Sequence, residues 1–402
     1  MQNSKHVLII GGGIAGPVAA MFLHKAGISS AVYEAREDAD AGGAALQIAP
    51  NGMYVLKALG LDHKVAEAGC VAKRLQFRNS TGKVLSTMCT CDPAPDGSPA
   101  VTIMRSSLHA VLVDALRERG IPIYFGKQLI AIEDAGSAHP VKVGFKDGSS
   151  AEGDILIGAD GIWSATRRLI MPDAPEPVYT GLLGIGGVAP MAALSAPMLA
   201  DREQMTMTWG PTGFFGYGPC RLGNTPVMLW WSNQARQTPP TREEMRQDST
   251  ADLMRTVRDV HHDWHQPVAS LIEQTEELQR IAIYEMPSLA SWSKGRVVLV
   301  GDAAHAMATS AGQGASQALE DAMLLAKLLR DEPGPPHHAF ASYETQRRPR
   351  VEKISAMARR NSDRKKTLSP FAMHVRDFFV AHVLPALARR SWDQIYAWKI
   401  AW

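Results

Sequence analysis

The chain opens with apolar and polar positions that change period in a fixed order. His6–Ile10 is a short β-branched and aliphatic run, as expected of a strand covered on both faces. The glycine-rich turn Gly11 to Gly16 follows at once. From Pro17 to Ala26 the apolar positions recur at helical spacing, and Gly27 closes the helix. Ala31 to Glu34 is a second strand that ends in an acid. Strand, glycine turn, helix, strand predicts a βαβ unit.

Further along, residues 71–102 predict short strands separated by the turns Ser80-Thr81-Gly82 and Pro95-Asp96-Gly97. Arg105 to Arg119 puts Leu108, Val111, Leu112 and Ala115 on one helical face. Val141–Phe145 and the Asp147-Gly148 turn predict a hairpin leading to Ile155-Leu156-Ile157, another buried strand. From 175 to 285 the pattern is sheet-like and rich in Trp, Phe, Met and Pro, with one polar helical piece over 241–261. Arg296–Val300 is again a short apolar strand, Ala315 to Arg330 a helix, and the tail from Tyr343 mostly helical. The simplest architecture is α/β. One discontinuous nucleotide-binding domain (1–75, 101–172 and 281–345) is interleaved with a β-rich domain (76–100 and 173–280), and a helical segment (346–402) bridges the two.

Three constellations could carry chemistry. Gly11-x-Gly13-x-x-Gly16 has the dinucleotide spacing. One glycine allows the tight turn, one lets the backbone approach a pyrophosphate, and one lets helix pack on strand. Glu34 then stands where a carboxylate accepts bonds from ribose hydroxyls. Gly301-Asp302-Ala303-Ala304-His305, with Gly312-Gln313-Gly314 behind it, offers a carboxylate for a polyol and a helix start for an anionic group. A flavin presents both. Asp160-Gly161-x-x-Ser164-x-x-Arg167 follows the middle strand and reads on its own as a cap or turn.

Composition narrows the classes. The 402 residues carry 42 Lys or Arg against 40 Asp or Glu, a formal charge of +2, which argues against nucleic acid as the main partner. Four cysteines without a C-x-x-C pair point to reduced thiols in a cytoplasmic enzyme. The uncharged runs Val7–Leu23 and Pro177–Ala200 hold too many glycines and prolines to span a bilayer, so no membrane span is expected. No metal site is expected either. His261-His262-x-x-His265 lies on a polar helical stretch without partner carboxylates and is expected at the surface.

In their order and separation, GGGIAG…VYEAR, ILIGADGIWSATRR and GRVVLVGDAAHAMATSAGQGASQALEDA resemble the single-component (group A) FAD-dependent aromatic hydroxylases. That family includes salicylate hydroxylase-like, 6-hydroxynicotinate 3-monooxygenase-like and tetracycline-inactivating flavin monooxygenases. The resemblance covers essentially the whole chain. It implies a Rossmann-like FAD domain of the para-hydroxybenzoate hydroxylase (GR2) type, with an interleaved β-sheet substrate domain and a C-terminal helix. It also implies NADPH or NADH as transient co-substrate, O2, and an aromatic or polycyclic substrate hydroxylated through a flavin C4a-hydroperoxide. A monomer or homodimer is expected. A flavin-dependent dehydrogenase without oxygen insertion and a non-catalytic FAD-binding protein stay open as alternatives.

By the same resemblance, Gly11, Gly13, Ala15 and Gly16 would surround the FAD pyrophosphate. Glu34 and Arg36 would meet the adenosine half, and Arg105 the phosphate–ribityl region. Asp302 would hold the ribityl chain, and Gly312, Gly314 and Ala315 the ring edge, with Asp160 and Arg167 as the second fingerprint. Gln47, in the loop Gly43–Asn51, would point to the reacting face. Tyr217 joins it as a candidate for orienting a substrate hydroxyl. Trp209, Phe215, Tyr217, Met228 and Trp230 are the candidate pocket; strand alternation turns about half of such positions inward, and ordinary sheet core is the other reading of each. His305 is expected to be structural. Ala306 and Thr309 stand where the family often has proline, and Ser316 where asparagine is common. The basic tail, from Arg347 to Lys366, is expected to be solvated while the apolar stretch Phe371–Leu387 is buried, with a membrane-surface helix as the other reading of the same segment.

Overall fold

His6–Ile10 becomes the pivot of a six-stranded sheet whose order is Ser293–Lys294, Val297–Leu299, Ile155–Gly158, His6–Ile10, Ser29–Tyr33, Ile123–Tyr124. In this computed structural model, which describes residues 5–38, 44–90, 96–134, 140–194, 203–211, 213–241, 243–247, 250–363 and 369–402, the central four strands run parallel. Three segments far apart in sequence therefore lie side by side with their carboxyl ends together. Ligands of open α/β sheets bind at such ends. Val7, Leu8, Ile9, Leu156, Val297 and Val298 have no exposed surface. Each such side chain contributes roughly 1.5–3 kcal/mol through burial, and the first helix, Ala15–Lys25, packs over them against the helix Gly314–Asp331.

The second layer is a seven-stranded sheet ordered Leu278–Glu285, Val178–Pro190, Thr225–Ala235, Phe214–Leu222, Gln204–Trp209, Arg74–Asn79, Val84–Cys89. All its pairs are antiparallel except Gln204–Trp209 with Arg74–Asn79. One face lies under the helices Thr250–His261 and Val268–Glu273. The other turns toward a small sheet, Ala45–Ile48 with Ala100–Met104 and Cys70–Ala72. The fold is the expected α/β type.

The histidine cluster differs from expectation. His262 is exposed, but His261 is buried between Phe215 and Trp264, at 5.1 and 4.3 Å between ring centroids. Its Nε2 lies 2.8 Å from the Ser232 hydroxyl. The helix is amphipathic, and His261 falls on its inner stripe with Leu253 and Val257. Burial pulls the imidazole down to about 3 from 6.5. The unfolded chain thus binds a proton between those two values that the folded chain refuses. This contribution to stability is complete above pH ~6.5 and declines as the pH falls toward ~3, by at most about 1.4 kcal/mol per unit. His261→Asn is expected to flatten that part of the stability–pH curve in urea unfolding, and an unchanged slope would contradict it. Among the described residues no group of His, Cys, Asp or Glu is arranged to hold a metal.

The C-terminal segment continues from the helix Pro336–Asp363 to Pro370–Phe378 and Leu384–Tyr396. Trp398 lies 4.9 Å from both the Arg347 and Arg350 guanidinium carbons, and the Trp402 ring packs at a tilt on Phe22, 4.8 Å between centroids. The tail therefore folds back onto the body. The solvated-arginine expectation fails for Arg347, which has no exposed surface, and Arg350 is largely covered. The expected burial of Phe371–Leu387 holds for only one side of that stretch: Val380 is buried, whereas Phe371, Val375, Phe378 and Leu387 are exposed. No helix among the described residues is long and apolar enough to cross a membrane.

Candidate functional site

The glycine turn meets the middle motif directly. Gly11 has φ +108°, and a Cβ there would sit 2.3 Å from the Ala159 carbonyl. A Cβ on Gly16 would fall 1.9 Å from the Gly11 carbonyl, so only glycine lets this helix start so close to the strand. Gly13 is different. A Cβ built on it would approach nothing nearer than Arg105 Nη2 at 3.9 Å, so its bare face looks into open space. The helix that follows has no side-chain cap and no acid in its first turn, leaving its first amides and dipole available to an anion. Glu34 accepts from the Gly12 N–H at 2.6 Å and the Arg36 N–H at 3.0 Å. These bonds hold its carboxylate beside the turn, with Arg36 exposed next to it.

The third motif closes on the same space. Gly301 (φ +59°) lies close to Ala318, and a Cβ there would come within 3.6 Å of Ala15 Cβ, tying the first and last motifs together. Asp302 follows on the cleft floor. Its side chain is reachable by solvent yet walled in deeply enough that desolvation raises its carboxyl, against the pull of His305 and Arg105. Gly312 and Gly314 also present bare faces. The nearest atoms to their would-be Cβ positions are Gln47 Oε1 at 3.7 Å and Asp302 Oδ1 at 4.0 Å. The helix from Gly314 likewise has neither a side-chain cap nor a first-turn acid, so Gly314 and Ala315 begin a second uncapped helix start. Gly13, Gly312 and Gly314 thus line one cleft bounded by Arg105, Asp302 and Gln47. A cleft lined with bare glycine, open amides, a carboxylate and a guanidinium suits a nucleotide with a polyol chain.

Behind the cleft lies a buried ionic network that sequence reasoning missed. Asp321 accepts from the Gly301 N–H at 2.8 Å and from Arg347 Nε at 2.6 Å, with His305 Nε2 at 2.6 Å. Burial pushes the Asp321 carboxyl up, but His305 and Arg347 overcome it and hold it down to about 2. Arg347 also bonds Glu320 and Gln317, and Arg350 grips both Glu320 oxygens. Asn51 donates to Glu320 at 2.6 Å and to Gln313 at 3.1 Å. The Ser316 hydroxyl accepts from the Ala49 N–H at 3.1 Å, and the Ala306 carbonyl from the Met286 N–H at 2.7 Å. His305 is structural, as expected. Asp160 caps a helix by accepting from Ser164 Oγ, Thr166 N and Thr166 Oγ1. The buried Arg167 donates to the Ala303 carbonyl at 2.8 Å. The middle fingerprint therefore braces the Asp302 loop from behind. His109, with Nε2 2.8 Å from the Gly12 carbonyl, braces the first turn.

The seven-stranded sheet roofs the cleft with a different set of residues from the one expected. Thr102 pairs with Gln47 across the small sheet, and its hydroxyl lies 3.5 Å from Met205 Sδ. The Met205 side of the sheet therefore faces Gln47. By alternation that side carries Met207, Trp209, Phe214, Leu229 and Trp231. Phe215, Tyr217, Met228 and Trp230 point the other way, into the core under the two covering helices. Phe215 stacks on Trp230 at 5.2 Å, and the Tyr217 hydroxyl, pushed up by burial, bonds Thr206. Of the five candidate pocket residues only Trp209 is on the cleft side, and Tyr217 is not brought near Gln47. The missed signal was Gly216, whose bare face is covered by the Trp231 ring. Gln47 itself stands beside Gly312. Gly43 lies outside the described residues.

The chain matches the family described as FAD binding domain over residues 4–358. It is 32% identical over 378 residues to a 6-hydroxynicotinate 3-monooxygenase of Pseudomonas fluorescens, covering 90% of this chain and 92% of that protein. It is 31% identical over 380 residues to an aurachin C monooxygenase/isomerase of Stigmatella aurantiaca, covering 94% of each. Among solved structures, Klebsiella pneumoniae HpxO complexed with FAD and uric acid superposes with a TM-score of 0.86 at 26% identity, covering 99% of this chain and 98% of that one.

Proposed function

This chain belongs to the FAD binding domain family, and from that premise we propose that it is a FAD-dependent monooxygenase that uses NAD(P)H and O2 to hydroxylate an aromatic or polycyclic small molecule. The carrying observation is the single cleft on which three distant motifs converge, with the bare faces of Gly13, Gly312 and Gly314 turned into it. Bound there, FAD would supply the redox chemistry: two electrons taken from a nicotinamide nucleotide and oxygen activated for transfer to an electron-rich ring carbon.

The chain's own residues have separate tasks. The amides that open the helix Ala15–Lys25 and Arg105 would hold the pyrophosphate, Glu34 a ribose, and Asp302 the ribityl chain. The amides of Gly314 and Ala315 would stabilise negative charge at the ring edge. Gln47 would orient a substrate hydroxyl by hydrogen bonding. Met205, Met207, Trp209 and Trp231 would form an apolar roof that keeps water from the reacting atoms and presses a flat ring into place. Trp209 stacks on Phe77 at 5.2 Å, and its indole N–H is buried without an acceptor among the described residues. A substrate oxygen would satisfy that donor.

The test is to reconstitute the protein with FAD and measure NADPH and NADH oxidation over a set of phenols, hydroxypyridines and tetracyclines. Product from isotope-labelled O2 is then examined by mass spectrometry. A substrate that speeds oxidation and returns with one labelled oxygen is the expected result. Turnover without label would make the protein a dehydrogenase, and failure to retain flavin would remove the proposal.

A further inference from the structure

The C-terminal arm keeps its inner side for the protein and leaves its outer side bare. Val380, Ala381 and Leu384 pack against Phe77, Leu85, Met88, Met207 and Trp209. Asn79 donates to Asp377 at 3.2 Å and Arg376 to the Gly210 carbonyl at 3.3 Å, pinning the helix Pro370–Phe378 to the sheet edge. The outward positions recur at helical spacing: Phe371, His374, Val375, Phe378, His382 and Leu387 are all exposed. Phe371 at 80% and Phe378 at 64% are the two most exposed large apolar residues described in the chain. A continuous stripe of this kind is a docking surface rather than ordinary scatter.

Charge selects the occupant. Residues 359–402 hold nine Lys or Arg against three Asp, whereas the whole chain nets only +2, so the remainder is negative. In sequence, Arg364, Lys365 and Lys366 stand just before this helix and Arg389 and Arg390 just after its outward stripe. A second copy of the chain would set two such cationic tails against each other, which is unfavourable. We propose that this arm docks on an anionic phospholipid bilayer. The Phe371–Phe378 stripe enters the headgroup boundary, the net positive charge of the arm draws it to the lipid phosphates, and no described helix spans.

Sedimentation of the full-length protein with vesicles tests this, using phosphatidylcholine alone and phosphatidylcholine mixed with phosphatidylglycerol. Binding is expected only to the mixed vesicles and is expected to weaken as salt is raised. Phe371→Ser combined with Phe378→Ser is expected to lower vesicle affinity by about tenfold or more with an unchanged melting temperature, which separates lost docking from lost folding. Three results would overturn the proposal: no binding to mixed vesicles, equal binding to neutral ones, or binding indifferent to the double substitution. A dimer seen by light scattering and abolished by the same substitutions would also overturn it, assigning the stripe to a second copy. None of these readouts requires flavin or turnover, so the outcome is independent of the proposed reaction.

Discussion

Leucine in place of Gly13 is expected to abolish flavin retention while leaving the apoprotein folded. The nearest atom to a Cβ at this position is the far end of the Arg105 side chain at 3.9 Å, so no backbone atom obstructs the added side chain. The added atoms would occupy the space a pyrophosphate needs against the first amides of the helix, and flavin affinity should fall by more than about a hundredfold. Gly16→Leu makes the contrast. Its Cβ would collide with the Gly11 carbonyl at 1.9 Å, a backbone clash that no rotamer relieves, so this variant should fail to fold. Thermal unfolding with and without added FAD distinguishes the two. If Gly13→Leu bound FAD as the wild type does, the cleft would not be the flavin site.

Arg347→Met is expected to destabilise the protein by about 3–5 kcal/mol, because it removes the guanidinium that two buried carboxylates both bond and leaves Asp321 without an arginine. Asp321 and Glu320 have essentially no exposed surface, and Arg347 is their common partner. Adding Asp321→Asn to Arg347→Met should recover part of the loss, since Glu320 keeps Arg350 whereas Asp321 is the carboxylate that loses its arginine. Urea unfolding of the single and double variants measures both effects. A loss under about 1 kcal/mol would mean that the network contributes no more than a surface ion pair does.

Much of the fold and part of the site could be read from the chain itself. The three buried strands at His6–Ile10, Ile155–Gly158 and Val297–Leu299 follow from continuous apolar runs, each followed within two residues by glycine or Asp-Gly. Those local signals also singled out Gly13, Asp302 and Gly312, which the fold brings around one cleft. The roof was misread for a different reason. Alternation shows that Trp230 and Trp231 face opposite ways, but not which one faces the cleft. Helices far along the chain decide that by covering one side of the sheet. Arg347 was misread likewise: in sequence it sits among solvated cations, and only the fold places Glu320 and Asp321 beneath it. His261 was hidden by its polar neighbours, although its spacing from Leu253 and Val257 puts it on their face.

The parallel order of the central strands has a bearing on biogenesis. Val297–Leu299 must settle beside Ile155–Gly158 before Asp302 can face Gly13, and Arg347 must arrive later still to anchor Asp321. A nascent chain halfway off the ribosome would hold the first glycine turn with no opposite wall. Cofactor capture would therefore belong to the last stage of synthesis. Such long-range assembly slows folding, and cells short of flavin would be expected to accumulate this protein in an incompletely closed form.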